Sequence, residues 1–143
     1  MLVRCLYASR PRKPAPVGLI DEILLQSRKN NPRSGITGLL LFTNDVFVQV
    51  IEGGRDEVCK LFNAIVRDDR HENVRLLAYD EIAERAFSSW TMGQVNVGSV
   101  NRALLLKYSE HAELDPFATS GRATLALLME LVESGAVVSR GGT

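Results

Sequence analysis

The sequence is poor in the residues that staple small or secreted folds: 143 positions hold two cysteines and two histidines. Cys5 and Cys59 stand far apart with no CxxC pair, which argues against a disulfide framework and a zinc ribbon. With only His71 and His111, a multi-ligand metal site would have to be gathered from scattered parts, so a metal-free protein is expected. Charge of one sign is not in excess either, since 17 Lys and Arg balance 17 Asp and Glu. That balance disfavours a nucleic-acid partner, for which a basic excess on one face is expected. No run approaches the ~18 apolar residues of a membrane helix. The opening MLVRCLYASRPRKPAP has too short an apolar stretch for a signal peptide, and basic residues interrupt it. These absences together lead to the expectation of a soluble, cytoplasmic protein with no membrane partner.

What is present suffices for one core. The hydrophobic fraction is 45%, and a domain of this length buries roughly 70% of the surface its unfolded chain exposes. LVRCLYA (2–8) reads as a first strand, and RPRKPAP as a loop. From Val17 to Lys29 the residues Val17, Ile20, Ile23, Leu24 and Ser27 recur at helical spacing. Asn30-Asn31-Pro32 is expected to stop that helix, because the residue before proline avoids the α region. ITGLLLF (36–42) and VFVQVI (46–51) are β runs joined by a hairpin at Thr43-Asn44-Asp45. Val58, Leu61, Phe62, Ile65 and Val66 form the stripe of a second helix over 55–67. Residues 74–82 and 90–97 read as two further strands.

The order βαββαββ with short connections predicts an α+β, ferredoxin-like fold, an antiparallel sheet with two helices on one face. Right-handed crossovers place the first and third strands side by side in its centre. Both faces of those strands are apolar, so something must cover the second face. Helical segments at 100–109 and 119–134 are the candidates, and SRGGT (139–143) is expected to fray.

Several residues break the pattern. Gln49 lies in the middle of a central strand, where an unpartnered amide costs about 1–3 kcal/mol. By parity it shares a face with Phe47 and Ile51, and Tyr7 stands in the neighbouring strand. If both point toward the helices, phenol and amide meet beneath the cleft between them; the plainer reading is that each merely satisfies the other or a backbone group. Asn30 and Asn31 stand at the mouth of that cleft. Their amides match an imide edge such as that of uracil or flavin, or serve only as a helix stop. Arg70 could bond a carbonyl or phosphate oxygen and His71 could pack on a planar ring, although Asp68-Asp69-Arg70-His71 also suits a solvated helix end. Trp90 and Met92, two apart on the last expected strand, would share a face. Cys5 and Cys59 lack a base and read as small core residues. Glu52 and Asp56 flank a turn without forming an acid–base dyad, and Gly53-Gly54 is not a phosphate cradle.

In combination these segments resemble the BLUF family of blue-light-using flavin photoreceptors. The resemblance rests on CLYAS, SRKNNPRSGITGLLLF, FVQVIEG, IVRDDRH and RAFSSWTMG, in order over roughly 2–97. It implies a flavin-binding domain at 1–97 and a C-terminal helical extension at 98–143 that packs on the sheet, as in the family's short members. It also implies FAD, with FMN as the alternative, held non-covalently between the two helices. Carried over by position, Tyr7 gives an electron and a proton to the photoexcited flavin and Gln49 relays the proton. Asn31 and Asn30 bind the imide region, Arg70 and His71 contact the ring and its chain, and Asp68 is a further candidate. Ile23 and Ile65 pack on the ring faces. Trp90 and Met92 occupy the two positions that compete to face the glutamine. The chain is then not an enzyme and signals to a separate downstream protein, with self-association as dimers or larger rings expected. The competing readings are a small acyl-phosphate hydrolase, which would need a Gly-rich loop before the first helix, and a flavin-free regulatory module.

Overall fold

Alternating apolar side chains from Leu2 to Pro11 form the first strand, β1, which runs three residues past the expected end and takes in Arg10 and Pro11. The computed structural model describes residues 1–138; the expectation for 139–143 lies outside them. There follow α1 (Leu19–Ser34), β2 (Thr37–Thr43), β3 (Val46–Gly54), α2 (Arg55–Arg67), β4 (His71–Ile82) and β5 (Gly93–Val95). A 3-10 turn at Val97–Ser99, α3 (Arg102–Tyr108), α4 (Gly121–Glu133) and β6 (Val137–Val138) complete the chain. The sheet order is β4-β1-β3-β2-β5-β6. Its first four strands are the ferredoxin-like arrangement, with β1 and β3 central as expected. The β2–β3 hairpin turns on Asn44 and Asp45, both at positive φ (53° and 59°), as a two-residue turn of the right twist requires.

Besides β1 and the unforeseen β6, three elements around the site depart from expectation. Helix α1 starts after Gly18 and runs through Asn30, Asn31 and Pro32 to a left-handed cap at Gly35 (φ 66°). Proline removes one helical donor and biases its predecessor away from the helix, but a local cap at Gly35 and one tertiary contact outweigh that bias. The Asn31 carbonyl accepts the Ile36 amide at 3.0 Å, and its side chain is held by the Thr91 carbonyl at 2.7 Å. Strand β4 begins at His71, three residues early, so His71 belongs to the sheet rather than to a helix end. The expected strand 90–97 shrinks to Gly93–Val95, leaving Trp90 and Met92 outside it.

The sheet separates two cores. On one face Val3, Cys5, Leu40, Phe47 and Ile51 pack against Ile23 and Leu24 of α1 and Val58 of α2. On the other, Leu6, Ala8, Val48 and Val50 pack against Leu104, Leu105, Leu127, Leu128 and Leu131 from α3 and α4. The tail therefore supplies the cover that the two-faced apolar strands demand.

Candidate functional site

Between α1 and α2, above β1 and β3, lies a cleft open to solvent with a cavity volume of about 210 Å³, at the small end for a ligand site. Its floor is made by register: Tyr7 of β1 stands directly opposite Gln49 of β3. Both are buried, at 1% and 4% exposure. The Tyr7 hydroxyl donates to Gln49 Oε1, so the plainer sequence reading, that each satisfies the other, holds for that pair of atoms. It is incomplete, because Gln49 Nε2 reaches the Met92 Sδ at 3.2 Å. A thioether is a weak acceptor, which leaves the amide donor with a poor partner. Phe62 of α2 meets the Tyr7 ring edge-on, with centroids 5.7 Å apart. Burial, with Cys5 and Asp68 adding, raises the Tyr7 hydroxyl above its ordinary pKa, so the phenol keeps its proton at neutral pH.

The walls carry the remaining predicted residues: Ile23, Asn30, Asn31, Ile65, Asp68, Arg70 and His71 all line the cleft, as do Gln26, Ser27, Leu61 and Ala64. Ser27 was visible in the sequence only as a member of the helical stripe. Gln26, one residue before it, had no pattern to mark it. Arg70 ties the two walls together. Its guanidinium bonds Asp68 at 2.6 Å and crosses to Glu22 at 3.1 Å and Gln26 at 3.0 Å. The side-chain bond from Arg70 is the main cause that lowers the Asp68 carboxyl below its ordinary range, and Asp68 in turn raises Arg70. His71 is buried, shares a 2.9 Å hydrogen bond with Ser9 Oγ and packs on Phe47 at 4.9 Å between ring centres. Desolvation lowers its pKa, against the pull of Asp68, which keeps the imidazole neutral.

Trp90 and Met92 part company. Met92 lies in the core beneath the cleft, while half-buried Trp90 packs with the tail core on the far face. The expectation of one shared face fails because this stretch is not extended strand. Trp90 O accepts the Gly38 amide at 3.0 Å, Thr91 O accepts Asn31, and Met92 O accepts Arg28 Nη2 at 3.2 Å. Cys5 is buried and its thiol is pushed up to about 12 by desolvation first and Cys59 second, as suits a core residue rather than a nucleophile.

Residues 2–93 match the family model described as BLUF, sensors of blue-light using FAD. The chain belongs to the BLUF family. BLUF domains are flavin-binding blue-light sensors, and relatives signal through several outputs. The blue light- and temperature-regulated antirepressor BluF of Escherichia coli (strain K12) is 36% identical over 87 residues, 61% of this chain and 22% of that protein. The photoactivated adenylate cyclase subunit beta of Euglena gracilis is 33% identical over 92 residues, 64% of this chain and 11% of that one. This chain thus matches less than a quarter of the length of these curated relatives. The dark-state structure of the BLUF protein BlrB superposes with a TM-score of 0.77 at 34% identity, over 94% of this chain and 96% of that one. Among the described residues no helix is long and apolar enough to cross a membrane.

The cleft suits the flavin that BLUF domains bind. Ile23 and half-buried Ile65 offer apolar surface to ring faces. The amides of Gln49, Asn31 and Asn30 carry the mixed donors and acceptors an imide edge needs. The poorly matched Gln49–Met92 contact leaves a donor for which a ring carbonyl is the better acceptor.

Proposed function

We propose that this protein is a blue-light sensor that holds FAD in the α1–α2 cleft and passes its response to a separate protein. The observation that carries the reading is the buried chain Tyr7 Oη, Gln49 Oε1 and Gln49 Nε2, ending on a weak acceptor at the floor of the cleft. When bound, the flavin supplies the light absorption and the electron-accepting ring. Tyr7 is the oxidisable side chain next to it, and its hydroxyl proton points at the one atom, Gln49 Oε1, that can receive it. A carboxamide can present either donor or acceptor to the same neighbour, so a proton passed through it can leave it bonded differently from before. Burial strengthens each of these bonds and the cost of breaking one. Asn31 and Asn30 orient the imide side, Ile23 and Ile65 exclude water from the ring faces, and Arg70 and His71 hold the outer end, with Asp68 fixing Arg70.

The reading makes residues 1–97 the sensor and 98–143 a helical cover. It makes the chain a sensor rather than an enzyme, with output through a protein contact and self-association of the sensor itself. The test is the visible absorption of the purified chain before and after a blue-light pulse, with chromatography of the released flavin to separate FAD from FMN. A flavin spectrum that moves slightly to the red and recovers in darkness is expected. Gln49→Ala and Tyr7→Phe should keep the flavin and lose the shift; a normal photocycle in either would overturn the assigned roles.

A further inference from the structure

Glu52 is a fully buried carboxylate, at 0% exposure, that the flavin cleft does not use. It stands three residues after Gln49 on β3 and, by strand parity, on the opposite face. An ion that deep is tolerated only when its lone pairs are filled, and its partners show what it holds. Arg4 of β1 approaches Oε2 through Nε and Nη2, each at 2.8 Å. The backbone amides of Ala86 and Phe87 donate to the same carboxylate at 3.1 and 2.7 Å. Arg4 also lies over the ring of Phe87 at 5.9 Å, and that ring is wholly buried in the tail core. Arg85 bonds Thr37 Oγ1 at 3.0 Å, so three consecutive residues, 85–87, are fastened to the sheet.

The stretch from Ser88 to Met92 has no helix or strand of its own. Its path is fixed at one end by Glu52 and at the other by Gly38, Asn31 and Arg28. Four residues lie between Phe87, whose amide is on Glu52, and Met92, whose thioether is on Gln49. We infer that Glu52 is a positioning residue of the light response: by anchoring the amides of Ala86 and Phe87 it holds Met92 against the Gln49 amide from the far side of the sheet. This rests on the proposed function for its kinetic consequence, though the placement itself does not need a flavin. Loss of the Glu52 charge loosens the segment, so the Gln49 amide turns over more easily and the lit state decays sooner.

Two measurements on the full chain test it. In protein with methyl-labelled methionine, Glu52→Gln should move or broaden the NMR signal of Met92 and leave that of exposed Met1 unchanged. In flavin-loaded protein the same variant should keep the red shift and recover in darkness about tenfold faster, the kinetic size of one charge-assisted hydrogen bond. Combining it with Met92→Ala should add nothing to the recovery rate of Met92→Ala alone, because both act through one contact. A Met92 signal that stays in place, or recovery rates that multiply, would overturn the inference and leave Glu52 as a fold staple. If Glu52→Gln fails to fold, Arg4→Gln, which keeps the carboxylate and removes its counter-ion, is read by the same methyl signals. Should the parent chain show no red shift, the proposed function fails, and the Met92 signal still decides whether Glu52 positions the segment.

Discussion

The Tyr7–Gln49 pair can be tested without light. Tyr7→Phe removes one hydroxyl and leaves Gln49 Oε1 buried without its donor; Gln49→Leu leaves the Tyr7 hydroxyl in the same position. Each single change should cost about 1–3 kcal/mol, the desolvation penalty of a stranded polar atom. Gln49→Leu stands toward the upper end, because it also forfeits the 3.2 Å contact with Met92 Sδ. The double variant strands nothing, since phenyl and isobutyl groups then face each other in a core already lined by Phe62 and Met92. Its cost should therefore fall short of the sum of the singles by roughly 1–2 kcal/mol, well above the 0.3–0.5 kcal/mol within which independent sites add. Urea denaturation of the flavin-free protein measures all four species on one scale. Equal slopes with additive midpoints would refute the claim that the two side chains satisfy each other. The floor of the cleft would then be held by backbone register alone.

Acidification should destabilise the fold in two stages. His71 has its pKa lowered by burial, so below its ordinary value of about 6.5 the unfolded chain takes up a proton that the folded one resists. Stability then falls; urea midpoints across this range should flatten in His71→Gln. Asp68 is also lowered, through Arg70, so its contribution is present above the ordinary carboxylate range and is lost only as pH falls below it. Arg70→Met should weaken flavin binding about tenfold in a fluorescence-quenching titration while shifting stability by under about 1 kcal/mol, because its ion pairs are half exposed. Gly121→Ala should run against helix propensity, which favours alanine by about 1 kcal/mol. A β-carbon there would overlap the Leu77 carbonyl, so α4 should lift from β4 and become open to limited proteolysis. A stabilised variant would show that the contact is slack.

Period and parity carried most of the fold. The two-sided apolar pattern of β1 and β3 demanded covers on both faces, and that demand alone placed the tail helices. Parity put Gln49 with Phe47 and Ile51, and the crossover rule put Tyr7 beside it, so the floor of the cleft was legible. The walls were less so. A local rule at Pro32 ended α1 too soon: Gly35 was available as a left-handed cap three residues on, and the hold on the Asn31 side chain comes from distant Thr91. The stretch from Trp90 to Met92 reads as strand because its side chains are β-compatible. Its actual course is set by Gly38, Asn31, Arg28 and Glu52, and a period of two cannot foresee four separate long-range anchors. Residues fixed by their own strand or helix were readable; residues fixed by someone else's side chain were not.

That distinction bears on how a response could leave the cleft. Tyr7 and Gln49 sit on the two central strands, each paired on both sides, so neither backbone can shift without disturbing the whole sheet. Two side chains from outside the strands meet that floor: Phe62 of α2 against Tyr7, and Met92, at the end of an irregular stretch, against Gln49. One residue beyond Met92, Gly93 opens β5, which pairs with β2 on one side and on the other with β6, just past α4. A β-carbon at Gly93 would press on Leu39, Val137 and Trp90 together, so this glycine, next to Met92, sits tightly against the tail core. On the proposed function, a change in what the Gln49 amide donates to would reach Met92 through their 3.2 Å contact. From Met92 the chain runs directly into Gly93 and β5, which pairs with β6 of the tail. The arrangement therefore favours a small displacement of 91–95 over any opening of the sheet as the form a signal takes.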